Sequence, residues 1–185
     1  MKRTILSLGV LFLAGVFSHV PPAWPEAAGP GVQKPYWFAG IGIFKPQDDI
    51  DRADTGLSLQ GGVGAKVHEM FAVDATLGFH SGDGGGISSW TMPLTVGGRA
   101  YFPVGAFEPY AGAGFGLYLS GFDGQGINDT AVDFGYYLQA GGDAWLSRSM
   151  AVNFDLRRHW TSPSFNGREV DIGGWSFTIG AKFGF

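Results

Sequence analysis

The sequence predicts an all-β protein: an eight-stranded antiparallel up-and-down β-barrel that crosses a membrane. Three observations predict it. Between Tyr36 and Phe185, apolar and polar residues alternate with a period of two in eight successive segments. The connections between those segments alternate between short and long. Within segments two to eight, charged residues stand on the face opposite the apolar one, with Arg158 the exception.

Met1-Lys2-Arg3 followed by the apolar run from Thr4 to Phe17 has the charged start and short hydrophobic core of a secretory signal, and the run is too short to cross a bilayer comfortably as a helix. Cleavage falls either near Val16-Phe17-Ser18 or near Ala27-Ala28, so residues 1–28 are read as the signal. Pro21 to Pro35, with five prolines, reads as a linker or the start of the mature chain, and residues 29–35 are assigned as a short linker. The barrel occupies 36–185. A bacterial lipoprotein carries a lipidated cysteine after a stretch like Leu13-Ala14-Gly15; here Val16 follows, and no lipid anchor is expected.

The first segment, Tyr36 to Phe44, has aromatics on both faces, which leaves its orientation open. The second sets Leu57, Leu59, Val63, Ala65 and Val67 against Ser58, Gln60, Gly62, Gly64 and Lys66, and the third sets Phe71, Val73, Ala75, Leu77 and Phe79 against Asp74, Thr76 and His80. In the fourth, Trp90, Met92, Leu94, Val96, Ala100 and Phe102 oppose Thr91, Thr95, Gly97, Arg99 and Tyr101. The fifth, Pro109 to Ser120, opposes Ala111, Ala113, Phe115, Leu117 and Leu119 to Tyr110, Gly112, Gly114, Gly116 and Tyr118. In the sixth, Val132, Phe134, Tyr136, Leu138 and Ala140 oppose Asp133, Tyr137, Gln139 and Asp143. The seventh opposes Met150, Val152, Phe154, Leu156 and Trp160 to Asn153, Asp155, Arg157 and His159. The eighth, Gly174 to Phe185, carries Trp175, Phe177, Ile179, Ala181, Phe183 and Phe185 on one face. Most segments run about 9 to 13 residues, the length of a tilted membrane-crossing strand and longer than the usual 5 or 6 of soluble strands.

Short connections are expected at His68–Met70, Pro103–Phe107 and Leu146–Ser149, and long, polar, glycine-rich ones at Lys45–Thr55, Ser81–Ser88, Gly121–Asn128 and Thr161–Asp171. Short turns at one rim and long loops at the other belong to a membrane barrel. An even strand number brings the last strand beside the first, so no edge is left open in lipid.

Composition points the same way. The 185 residues hold 32 glycines and 15% aromatics but only 15% charged residues, far from an average soluble domain. A formal charge of −4 without a basic patch excludes nucleic acid as a partner. The lack of cysteine excludes disulfides, thiolate metal sites and thiol catalysis.

Aromatics on the apolar face gather near strand ends: Phe71, Phe102, Phe183 and Phe185 toward the short turns; Phe79, Trp90, Phe134, Trp160 and Trp175 toward the long loops. Two such belts mark two lipid interfaces. On the opposite face Lys66, Arg99, Arg157 and Lys182 balance Asp74, Asp133, Asp143 and Asp155, and buried ions of both signs in a narrow tube are expected to pair into a network that plugs it.

The stretches YWFAGIGIFKP, SWTMPLTVGGRAYFP, EPYAGAGFGLYL, FGYYLQAGGDAWLS and GWSFTIGAKFGF resemble the small eight-stranded outer-membrane barrel family of OmpA and OmpX type, from about Tyr36 to Phe185. The resemblance implies an exported outer-membrane protein contacting lipid and lipopolysaccharide. It also implies insertion by barrel-assembly machinery that reads the terminal strand, here Phe177, Ile179, Phe183 and Phe185. The chain stops with the barrel, without the peptidoglycan-binding domain of OmpA, so no wall-anchoring role is expected.

Motifs for chemistry are poor. Gly61-Gly62-Val63-Gly64-Ala65-Lys66 lacks the ending and the following helix of a phosphate loop. Gly112, Gly114 and Gly116 fit one strand face, where glycine makes room for bulky inward residues of neighbouring strands. His68, His80 and His159 lack paired metal-ligand spacing, and no metal or cofactor is expected. Lipid A deacylases are also eight-stranded and use a His-x-Ser pair near the outer leaflet. Here His159 is followed by Thr161 in the serine's place, Ser162 falls on the other side, and alternation points His159 inward. The expected function is a monomeric, non-enzymatic outer-membrane protein with a structural or surface-interaction role, displaying loops whose ligand is not readable. The alternative is a narrow channel for ions or small apolar solutes, and a deacylase-like enzyme comes third.

Overall fold

The computed structural model describes residues 34–47, 54–84, 87–124, 127–165 and 167–184. The expected signal, the first part of the linker and the terminal Phe185 lie outside these residues. Among the described residues ten strands form: β1 (Lys34–Pro46), β2 (Gly56–His68), β3 (Phe71–Gly84), β4 (Ile87–Tyr101), β5 (Phe107–Gly124), β6 (Ile127–Trp145), β7 (Met150–Trp160), β8 (Ser164–Phe165), β9 (Arg168–Glu169) and β10 (Gly174–Gly184). Eight close into one barrel in the order β1-β10-β7-β6-β5-β4-β3-β2, every neighbour antiparallel, while β8 and β9 form a separate small hairpin. The closing ladder runs from Tyr36↔Gly184 to Pro46↔Gly174.

Alternation decides what each residue meets. Side chains of the apolar rows face outward and stay uncovered, as at Leu94, Phe115, Val132, Phe134 and Leu138, each more than half exposed. The polar rows face inward and are buried, Arg99 to 1% and Asp143 to 0%. β1 follows the same rule once its faces are read from burial: Tyr36, Phe38 and Phe44 point inward, Ile41 and Ile43 outward. Inward aromatics made this strand ambiguous in sequence.

Two expected loops are largely strand. The β3–β4 ladder continues through Asp83↔Ser88 to Gly84↔Ile87, and the β5–β6 ladder through Asp123↔Asn128 to Gly124↔Ile127. Ladder hydrogen bonds come from the main chain, so Ser, Gly and Asp extend a hairpin where no apolar face is needed. β5 and β6, at 18 and 19 residues, outrun the 9–11 needed for a tilted crossing. The wall of β3 to β6 therefore stands taller than that of β7 and β10, with 11 residues each. Thr161–Asp171 is no open loop either, since it contains the β8–β9 hairpin turned by Gly167 at φ 77°.

Several inward glycines are footings for large side chains. A Cβ at Gly114 would stand 2.5 Å from the Tyr137 hydroxyl, one at Gly62 2.8 Å from the Phe38 ring, and one at Gly112 2.7 Å from Gln139 Nε2. The same Cβ atoms would also press on the carbonyl oxygens of Val96, Ala75 and Gly98 in the neighbouring strands, and at Gly116 the nearest atoms are all main chain of Leu94 and Thr95. Outward Gly98 has ordinary room, its nearest neighbour being 3.8 Å away. Gly114→Ala should therefore cost about 1–3 kcal/mol by overpacking Tyr137, and Gly98→Ala should stay within about 0.5 kcal/mol of wild type. Urea midpoints of the folded, faster-migrating electrophoretic band measure both.

Candidate functional site

The inward face fills the barrel in successive polar layers. Nearest the short turns, Lys66 Nζ binds the Glu108 carboxylate at 2.7 and 2.8 Å. Above it Lys182 Nζ donates to Asp143 Oδ2 at 2.6 Å and to the Tyr101 hydroxyl at 3.0 Å, and lies 4.0 Å over the Tyr36 ring. A chain of bonds leads upward from there. Asn153 Nδ2 donates to Asp143 Oδ1 at 2.6 Å and to the Tyr110 hydroxyl at 3.1 Å, Tyr110 donates to Asp155 Oδ2 at 2.6 Å, and Arg157 Nε donates to Asp155 Oδ1 at 2.6 Å.

Arg99 sits beside this chain, its Nε 2.8 Å from Asp74 Oδ2. The N–H is not aimed along that line, so the contact is ionic without being a good hydrogen bond. Its guanidinium lies between the rings of Phe38 and Tyr110, 4.7 and 4.8 Å from their centroids. Two aromatic faces thus hold a cation that one carboxylate neutralises.

Toward the long loops the layer changes character. Ser58 Oγ meets His80 Nδ1 at 3.1 Å, the Tyr118 hydroxyl meets His159 Nδ1 at 3.1 Å, and His159 Nε2 meets Ser176 Oγ at 3.1 Å. His80 stacks on Phe44 with centroids 4.8 Å apart. Over this layer Phe165 and Ile172, from the segment holding the β8–β9 hairpin, pack on Phe122 of β5 with Ala131 and Val170 at the margin. The segment is fastened to β6 by Asp133, whose Oδ2 accepts from Thr161 Oγ1 at 3.2 Å and from Ser162 N–H at 2.9 Å.

The structure therefore brings Lys66, Asp74, Arg99, Asp143, Asp155, Arg157 and Lys182 onto the inner face as four ion pairs, the fourth anion being Glu108. Sequence reading left Glu108 out and set Asp133 in the balance instead. Inward parity extended two residues below Tyr110 identifies Glu108, but that residue falls between the expected turn, which ends at Phe107, and the expected strand, which begins at Pro109. The outward aromatics are exposed at Phe71, Phe102, Phe134 and Trp175. Phe183 stacks on Trp37 at 4.4 Å, and Trp160 on Tyr136 at 5.1 Å beneath the Arg158 guanidinium. Phe79 departs from this set: it lies opposite Leu59 in the ladder and is only 8% exposed. His159 and Thr161 are both buried on the inner side, away from lipid. Among the described residues no three histidine, cysteine or carboxylate side chains converge to hold a metal.

Breaking one of these dry pairs should be costly. Arg99→Met leaves Asp74 charged and alone, a loss of about 3–5 kcal/mol, whereas Arg99→Met combined with Asp74→Leu should recover most of it because no unpaired ion remains. Urea denaturation of the two variants in detergent measures the difference.

Comparison with known proteins places this geometry. The family model described as "Outer membrane protein beta-barrel domain" matches residues 8–183. No curated protein matches the sequence. Among solved structures, Neisserial surface protein A is similar over 84% of this chain and 99% of its own, at 13% identity and a TM-score of 0.72. OprG of Pseudomonas aeruginosa is similar over 85% and 98%, at 16% identity and 0.58. Ail of Yersinia pestis, solved with the heparin analogue sucrose octasulfate, is similar over 83% and 99%, at 14% identity and 0.52. Such identities speak for the fold alone; the family match, spanning nearly the whole chain, carries the further conclusion that this chain belongs to the outer-membrane β-barrel domain family.

Proposed function

We propose that this protein is a small, monomeric, non-conducting outer-membrane barrel that serves as a structural platform for surface interactions. The observation that carries this reading is the accessibility of the inward row. A lumen wide enough for water leaves its lining solvent-accessible, yet Tyr101, Tyr118, Ser58, Ser120 and Asp143 have no exposed surface. Paired ions fill the lower half, hydroxyls and imidazoles the upper, and apolar side chains the long-loop mouth.

A deacylase needs its histidine beside a serine at the lipid face, whereas His159 here is enclosed with Tyr118 and Ser176. The long connections would contribute the contacts. Their sequence holds Asp48, Asp49, Asp51, Asp54, Asp83, Asp123, Glu169 and Asp171 against Lys45, Arg52 and Arg168. An acidic display of this kind does not suit a sulfated polyanion such as the one bound to Ail. Under this reading the outward aromatics sit at the two lipid interfaces, and the terminal strand through Phe177, Ile179, Phe183 and Phe185 serves recognition by the assembly machinery. Purified protein in a planar bilayer should give no steady unitary conductance; reproducible channels from the wild type would replace this proposal with a pore.

A further inference from the structure

The outer wall holds two cations where the alternation of the chain otherwise places apolar side chains. Among the described side chains of the eight barrel strands, only Lys45 and Arg158 put a lysine or arginine on an outward row. Lys66, Arg99, Arg157 and Lys182 all point into the tube, each against a carboxylate. A charge turned toward hydrocarbon is costly, and it is tolerated near the interface, where a long side chain reaches the headgroups.

Barrel closure brings the two together. Lys45 lies opposite Trp175 in the β1–β10 ladder, and Trp175 lies opposite Arg158 in the β10–β7 ladder, so the three form one row near the long-loop rim. Neighbouring strands are about 4.8 Å apart, which sets the backbones of Lys45 and Arg158 about 10 Å apart. Two side chains of that length can converge on a single anionic group between them.

The surroundings fix the level and the charge of the row. Trp175 is 40% exposed and donates its Nε1–H to Gln47 Oε1 at 3.1 Å. The Arg158 guanidinium lies 5.2 Å from the centroid of Trp160, which stacks on Tyr136, and its Nη1 donates to the His159 carbonyl oxygen at 3.3 Å. Tryptophan and tyrosine in such positions mark headgroup depth. Asp171 is the acid nearby: a Cβ at Gly173 would stand 3.1 Å from Asp171 Oδ1 and 3.4 Å from Arg158 Nη1. One carboxylate against two cations leaves the row positive.

We propose that Lys45, Trp175 and Arg158 form a binding site for a phosphate group of the outer-leaflet glycolipid, of the lipid A class. The planar donors of arginine match phosphate oxygens, lysine adds a compact charge, and Trp175 holds the level of the headgroup between them. Long loops stand on the outer side of a membrane barrel, so a row at their rim meets the outer leaflet. The site requires the apolar face to lie in lipid and is independent of whether the lumen conducts.

The exported protein, purified and stripped of lipid in detergent, is titrated with phosphorylated lipid A, with the same lipid after removal of its phosphates, and with phosphatidylglycerol, and bound lipid is counted by native mass spectrometry. Wild type should take up one phosphorylated lipid A, at least about tenfold more tightly than either of the others. Lys45→Gln and Arg158→Gln should each weaken that binding about tenfold, and Arg148→Gln, at an exposed short turn, should leave it unchanged. Wild type that binds no lipid A, equal binding of the dephosphorylated lipid or of phosphatidylglycerol, or full binding by the Lys45→Gln/Arg158→Gln double variant would each overturn the proposal. Should a variant not fold, the comparison of the three lipids on wild type decides alone.

Discussion

Everything in this molecule depends on the ladder between β1 and β10. Lipid offers no hydrogen-bond partner to a free N–H or C=O, so a sheet can lie in it only if its first and last strands pair. Eleven residue pairs, Tyr36↔Gly184 through Pro46↔Gly174, make that closure. Once the sheet is closed, its two faces have unequal solvents. The outer one can be apolar and uncovered, and the inner one must absorb every polar side chain that alternation sends there.

That obligation explains the interior. Eight strands leave a tube that side chains alone can fill, and the chain fills it with large polar groups set against glycine. Tyr137 lies over Gly97 and Gly114, Gln139 over Gly112, and Tyr110 over Gly141. Charges follow because they bring long stems and strong bonds, but each needs an opposite charge in a space without bulk water. Arg99 has Asp74, Lys182 has Asp143, and Arg157 has Asp155. The hydrogen bonds of Asn153 and Tyr110 join two of these pairs into one network spanning β5, β6, β7 and β10. On the reading proposed above, the same filling that stabilises the tube also closes it, and contact with the surroundings falls to the rims and the outer wall.

The architecture was legible in the sequence because period-two patterning with charges on one face survives any uncertainty about register. Where no outward apolar row is present, as from Ser81 to Gly84 and from Gly121 to Gly124, whose one apolar residue Phe122 points inward, the pattern carries no signal and strand reads as loop. In β1 inward Tyr36 and Phe38 mimic an outward face; they point inside because Gly64 and Gly62 of β2 leave room for them. Pairings were beyond reach for another reason. Whether Lys66 finds Glu108 or another acid depends on how far each strand is staggered against the next, and alternation alone does not encode stagger. The meeting of His80 and His159, 79 positions apart in a chain without paired histidine spacing, is a property of closure and tilt.

The central claim is that the polar face is inside and the apolar face is in lipid, and β6 offers the most direct measurement because the chain has no cysteine of its own. Single cysteines placed in turn from Val132 to Ala140 and spin-labelled in reconstituted bilayers report contact with lipid-soluble oxygen. The account predicts high oxygen contact at 132, 134, 136, 138 and 140 and low contact at 133, 135, 137 and 139. A profile without that period of two, or one with the two sets exchanged, would contradict it.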